Sequence, residues 1–334
     1  MKIDTLTSQN LASESTVPAS SEQVTFCQAG NQGSNYLYQA YGLTIDSELV
    51  IPQLLAGQGR SDITIRFGNI PASLDNATDT GPCWQISPKQ FLLRIDKVAG
   101  YWAHGGSGEV LIDRATEASD DDVRTFLLGS ILGFLLHQRR ILPLHASAIR
   151  TERGAVLFTG HSGAGKSTTL GAMVKRGYAM LADDVSAIVI DEQGCPQVLP
   201  AFPSSRLRAD SAAKLNRSTQ DAGHIGTAFD KYLFEVDHFC QEVVPLYGIY
   251  ILTQHDQPKI ELQPIKSTVD KFSWLLVNTY RNQFIKQIGW EQEHFQLISN
   301  VLQTTQVIQV KRPTDPFLLD ELVRQLEQDF SSNT

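Results

Sequence analysis

Over the first third of the chain, apolar and polar positions alternate in short runs. Beyond residue 118 they give way to longer blocks with helical spacing. Tyr36–Tyr41, Asp62–Phe67, Cys83–Ile86, Gln90–Ile95, Val98–His104 and Glu109–Asp113 are β-rich runs parted by Gly, Pro and Asp. Several alternate as half-buried strands do, and Gly105-Gly106 reads as a hairpin turn. Ser119-Asp120-Asp121-Asp122 then opens a helix that runs to His137 or Arg139, with Ser119 as N-cap and an acidic first turn that suits the helix dipole. Strands are expected at Leu142–Ile149 and Ala155–Thr159, around a turn at Glu152-Arg153-Gly154. A helix over Lys166–Arg176, closed by Gly177 at C′, leads to a strand at Tyr178–Ala182. Further strands are read at Ser186–Ile190 and Leu246–Leu252, and helices near Lys271–Gln287 and Trp290–Gln303. A strand at Gln306–Val310 and a helix from Asp315 to about Asp329 close the pattern.

This pattern divides the chain in three. Residues 1–22 are a Ser/Thr/Asn/Gln-rich tail, expected to be disordered because it has little to offset the entropy of ordering. Residues 23–118 are expected to form a β-rich module without recognisable chemistry, and 119–334 a second domain of mixed strands and helices. A length of 334 residues accords with two folded domains, and 42% hydrophobic with 19% charged residues supports a real core. The net charge of −8 argues against a general nucleic-acid binder. The four cysteines are far apart and lack metal-ligand spacing, as free thiols in a reducing compartment would be. The N-terminus has no secretory pattern, and the most apolar run, Phe126–Leu136, has about eleven residues against the ~20 of a spanning helix. The expected setting is cytoplasmic, away from membranes and nucleic acid.

The chemistry concentrates in one loop. Gly160-His161-Ser162-Gly163-Ala164-Gly165-Lys166-Ser167 fits G-x-x-x-x-G-K-[ST] without exception, between an apolar strand and an amphipathic helix. Glycines let the backbone curl so that successive N–H groups face phosphate oxygens. The helix that follows offers unpaired N–H groups and a positive dipole end. Gly160, Ser162, Gly163, Ala164, Gly165, Lys166, Ser167 and Thr168 are therefore the expected nucleotide contacts. Lys166 reaches the β- and γ-phosphates and the Ser167 hydroxyl reaches Mg²⁺. The expected cofactors are ATP (or GTP) and Mg²⁺.

Asp183-Asp184 closes the strand one helix later. In a parallel sheet, strand ends converge on the ligand crevice, which places the pair beside the γ-phosphate. Two adjacent carboxylates need a cation or a shared proton: one takes Mg²⁺ and the other accepts a proton from an attacking hydroxyl. A strand-end cap is the alternative, since Asp is common there. His145, in Leu142-Pro-Leu-His-Ala-Ser, reads either as a hydrogen-bonded core residue or as a catalytic one.

The order of His145, the Gly160–Ser167 loop and Leu181-Ala-Asp-Asp184 resembles the catalytic domain of the HPr kinase/phosphorylase family. The resemblance implies an α/β fold: a P-loop kinase domain of the HPr kinase/phosphoenolpyruvate carboxykinase type, here with a smaller β-rich N-terminal module. It implies a nucleotide-dependent serine kinase, with Asp183 at the metal, Asp184 as base and His145 near the transferred phosphoryl group. It also implies a homo-oligomer, since HPr kinases form hexamers. Two departures narrow this: Thr168 stands where the family has Glu, and the Glu-x-Arg-Gly-x-Gly signature is missing. The layout is closer to HPr-kinase-like proteins of peptide natural-product clusters, some of which phosphorylate a serine of a precursor peptide.

Phosphoryl transfer also needs positive charge on the departing group. Arg206 and Arg208, two apart and on one face if the segment is a strand, and Lys231 are the candidates, with Arg281 behind them. The expected function is Mg²⁺-dependent transfer of a γ-phosphate to a serine hydroxyl of a small protein or precursor peptide. The alternative is a nucleotide-sensing regulator or scaffold without phosphotransfer.

Overall fold

The computed structural model describes residues 35–220, 223–224, 232–316 and 318–331. The tail expected at 1–22, and Lys231, lie outside them. The fold is mixed α/β, with several sheets and few helices.

Residues 36–114 make a nine-stranded sheet in the spatial order Leu55–Ala56, Tyr36–Ala40, Leu43–Ser47, Ile63–Phe67, Glu109–Arg114, Ala99–His104, Gln90–Ile95, Trp84–Ile86 and Asp79–Gly81. Ile63–Phe67 pairs in parallel with both of its neighbours, and the other pairings are antiparallel. Ala99–His104 alternates buried and half-buried residues, as a one-sided strand should. Ala40 pairs with Leu43 across a two-residue turn, in which Tyr41 and Gly42 have φ of 54° and 70°. Such a turn favours Asn-Gly, so Tyr41 occupies an unusual position for an aromatic residue.

The helix opened by Ser119 runs through Asp120–Phe126, a π-helical stretch at Leu127–Ile131, and Leu132–Gln138. Ser119 Oγ accepts the Asp122 N–H at 3.1 Å. Every residue from Leu127 to His137 is buried, the condition of a helix packed on all sides. One apolar cluster runs from Tyr38 of the first sheet, through this helix, to Val307 of the second.

The second sheet follows the order Leu142–Leu144, Ser186–Ile190, Pro196–Leu199, Val244–His255, Gly154–Thr159, Ala146–Thr151 and Ala179–Ala182. Gln306–Pro313 pairs in parallel with Val244–His255, and Glu261–Pro264 lies beyond it. Ser204–Leu207, Tyr232–Glu235 and Gly223–His224 form a small third sheet.

Three expectations change. The single strand expected at Leu142–Ile149 breaks at His145, because Leu142–Leu144 pairs with Ser186–Ile190 while Ala146–Thr151 pairs with Gly154–Thr159. The helix expected over Lys271–Gln287 is Thr268–Val277 and then Phe284–Gln287. Between them, Asn278–Tyr280 lies along the broken strand: His145 N–H bonds Asn278 O at 2.7 Å and Tyr280 N–H bonds Pro143 O at 2.8 Å. Tertiary pairing overrides helical spacing there. The last strand extends past Val310 to Pro313, and the last helix is Leu319–Ser331.

Candidate functional site

Gly154–Thr159 is buried along its whole length and ends in the glycine-rich loop. Gly160, Gly163 and Gly165 have φ of 138°, 82° and 102°. A Cβ on Gly160 would stand 2.4 Å from Leu252 O, so the chain leaves its strand against a neighbouring backbone where a side chain has no room. Gly165 caps the helix Lys166–Lys175. The Lys166 ammonium folds back over the loop and donates to Gly160 O at 2.9 Å and His161 O at 3.3 Å. From the last strand, buried Arg312 donates to Ala164 O at 2.9 and 2.8 Å and to Gly163 O at 3.4 Å. The carbonyls that turn outward as the loop curls therefore have a charged partner.

The aspartate strand reaches the loop by a different route from the one expected. Ala179–Ala182 does not neighbour Gly154–Thr159; Ala146–Thr151 lies between them, antiparallel to both. Two antiparallel steps restore the direction, so Thr159 and Ala182 end at one edge, near Ala146. His145, Gly160 and Asp183 each follow or precede a strand end there.

The two carboxylates are used differently. Asp183 is buried, and Oδ1 accepts from Ser147 Oγ at 2.7 Å and Ser167 Oγ at 2.9 Å. Its Oδ2 accepts from Ser205 Oγ at 2.8 Å and the Arg206 N–H at 3.0 Å. Asp184 has φ of 69° and turns toward the cleft. Its Oδ2 lies 3.4 Å from an Arg206 guanidinium nitrogen and its Oδ1 3.5 Å from His145 Nδ1. His145 Nδ1 also stands 2.9 Å from Asp184 O. A carbonyl can only accept, so Nδ1 carries a proton.

The cleft holds about 290 Å³. Ser162, Gly163, Gly165, Lys166, Ser167 and Thr168 line one side, and His145, Asp184, Arg206 and Arg208 line another. Gly160 and Ala164 shape the loop from behind. Arg206 and Arg208 do not share a strand, because Ser204–Leu207 ends between them and exposed Arg208 caps the short helix Ala209–Lys214. Arg281 is elsewhere, bonded to Ser130 Oγ at 2.7 Å on the central helix. Ser147, Ser205 and Arg312 join the site although the sequence analysis does not single them out. Ser147 has a signal, lying two residues from His145; Arg312 has none.

The site is thus that of a mixed α/β protein with a glycine-rich loop facing a carboxylate, a histidine and arginines across a polar cleft. No family model matches the chain, and no curated protein matches it. Among solved structures the chain is similar to the Hpr(Ser) kinase/phosphatase from Coxiella burnetii, at 13% identity and a TM-score of 0.28, over 56% of this chain and 91% of that one. At that level the likeness is distant and fixes neither activity nor substrate. No helix among the described residues is long and apolar enough to cross a membrane.

Proposed function

We propose that the protein binds ATP or GTP with Mg²⁺ at the Gly160–Ser167 loop and transfers the γ-phosphate to a serine hydroxyl of a small protein or precursor peptide. One observation carries this reading: of two adjacent carboxylates, Asp183 is buried against Ser167 Oγ, while Asp184 lines the cleft beside Lys166. A strand-end cap would need only one of them, with no second carboxylate turned toward the loop.

In this reading the loop amides and the first turn of Lys166–Lys175 take the phosphate oxygens. Lys166 exchanges its two carbonyl partners for the β- and γ-phosphates. Ser167 Oγ and Asp183 Oδ1, 2.9 Å apart, are hard oxygens of the kind Mg²⁺ accepts alongside phosphate and water. Such a site needs no cluster of three His, Cys, Asp or Glu, and the described residues hold none. When bound, Mg²⁺ would neutralise charge on the β- and γ-oxygens. Asp184 takes the acceptor hydroxyl proton as the new O–P bond forms and the bond to the β-γ bridging oxygen breaks. Arg206 supplies positive charge next to the transferred group, and His145 holds the Asp184 turn through its carbonyl. The transition state is loose, so positioning and charge supply most of the catalysis.

The test is transfer of labelled γ-phosphate to serine-bearing acceptors, with nucleotide affinity measured separately. Asp184→Asn is expected to lower transfer about 10²- to 10⁴-fold and leave affinity unchanged. An acceptor labelled equally well after its serine is replaced by alanine would refute the reading. Nucleotide binding without transfer to any acceptor would leave the sensor alternative.

A further inference from the structure

Tyr41 sits at a hairpin of the first sheet, yet it packs against the segments that carry Asp184 and Arg206. It holds a left-handed backbone in a two-residue turn, a conformation that a bulky residue keeps only where its surroundings over-determine it. Its side chain is buried, and its contacts fall on two segments of the second half of the chain. The Tyr41 hydroxyl stands 3.5 Å from Val185 O, the carbonyl next after Asp184. The Tyr41 N–H bonds Pro200 O at 2.8 Å, and the ring meets Phe202 edge-on with centroids 6.1 Å apart. Four residues after Phe202 comes Arg206, which bonds both aspartates. The hairpin tip is therefore wedged between the turn that carries Asp184 and the segment that carries Arg206. The hydroxyl feels both charges: burial pushes its pKa above the usual tyrosine range, Asp184 adds to the rise and Arg206 opposes it.

We propose that the first sheet is a working part of the cleft, and that Tyr41 is a positioning residue whose ring sets the spacing between Asp184 and Arg206. This rests on the phosphotransfer reading above. The β-rich module then serves to deliver one rigid aromatic spacer to the acceptor side of the site, away from the glycine-rich loop. The ring does the spacing, because the hydroxyl contact is long for a hydrogen bond. Loss of the spacer should impair transfer and spare nucleotide binding.

The experiment compares Tyr41→Leu and Tyr41→Phe in the full chain. Tyr41→Leu should lower kcat about 10- to 100-fold, the scale of a misplaced reacting group, with nucleotide Kd unchanged. Tyr41→Phe keeps the ring and should restore most of kcat. A second readout does not need an acceptor. His145 Nδ1 lies 3.5 Å from the Asp184 carboxylate, so its NMR titration, assigned by the change that Asp184→Asn produces, reports where that carboxylate sits. Tyr41→Leu should move that titration and Tyr41→Phe should leave it near wild type. A folded Tyr41→Leu protein with unchanged kcat and unchanged His145 titration overturns the proposal, as does an equal loss of kcat and nucleotide affinity. If the wild type transfers nothing, the phosphotransfer reading fails, and the titration still decides whether Tyr41 positions Asp184.

Discussion

The two large sheets each have nine strands among the described residues, but the charged cleft opens on the second. In the first, most strands turn back through short connections such as Tyr41-Gly42 and residues 105–108, and the parallel neighbours of Ile63–Phe67 are reached through residues 48–62 and 68–108 without a helix. In the second, Gly154–Thr159 runs parallel to Val244–His255, and that one to Gln306–Pro313. Parallel neighbours cannot be joined by a hairpin; between Gly154–Thr159 and Val244–His255 the chain crosses over through residues 160–243, which open with the glycine-rich loop and the helix Lys166–Lys175. The crossover leaves a mouth at the carboxyl ends of the strands. Both sheets hold parallel pairs, and what sets the second apart is a crossover that begins with a glycine-rich loop and a helix.

Exchanging the effects of substitutions between the sheets would break this contrast. On the proposed phosphotransfer reading, the largest expected change is Asp184→Asn, which should lower transfer about 10²- to 10⁴-fold, the scale of a lost general base, with little change in the urea midpoint. Ile65→Ala, at a buried position of the first sheet, should do the reverse. It should cost about 2–5 kcal/mol of stability and leave kcat of the folded protein intact, as urea melts paired with kinetics would show.

Acid sharpens the contrast at the junction. His137, at the end of the central helix, and His294 are buried around Trp290, and burial pushes each from the usual 6.5 down to about 4. Between those values the unfolded chain binds more protons than the native one, so stability falls as pH drops from 6.5 toward 4. Each histidine contributes up to about 3 kcal/mol to that fall. Urea titrations at stepped pH should show a shallower decline in His294→Gln than in wild type. The smallest effect expected is that of Arg312→Ala. Loss of a charged partner for two loop carbonyls should weaken nucleotide binding about tenfold, read by fluorescence titration, with kcat at saturating nucleotide nearly unchanged.

Much of the site is legible in the amino-acid order alone. The loop carries its own signature, and Asp183-Asp184 closes a strand whose apolar run is plain in Ala179–Ala182. Pairing is what cannot be read. Leu142–Ile149 looks like one strand because its apolar content continues past His145, and only long-range partners divide it. Lys271–Gln287 keeps helical spacing through residues that bond a strand instead. The short strands Pro196–Leu199 and Ser204–Leu207 carry no strong alternation, so nothing local points to Ser205 and its bond to Asp183. Arg312 is hidden because the strand before it reads as complete at Val310, two residues short of its working end.

That arginine has a consequence for how the protein is made. The loop is synthesised about 150 residues before Arg312, whose guanidinium, on the strand Gln306–Pro313, braces its carbonyls. A ribosome therefore releases the glycine-rich segment long before its brace exists. On the proposed nucleotide-binding reading, full affinity should arrive only once Gln306–Pro313 docks, and nascent chains halted before residue 312 should hold a polyphosphate at least about tenfold more weakly.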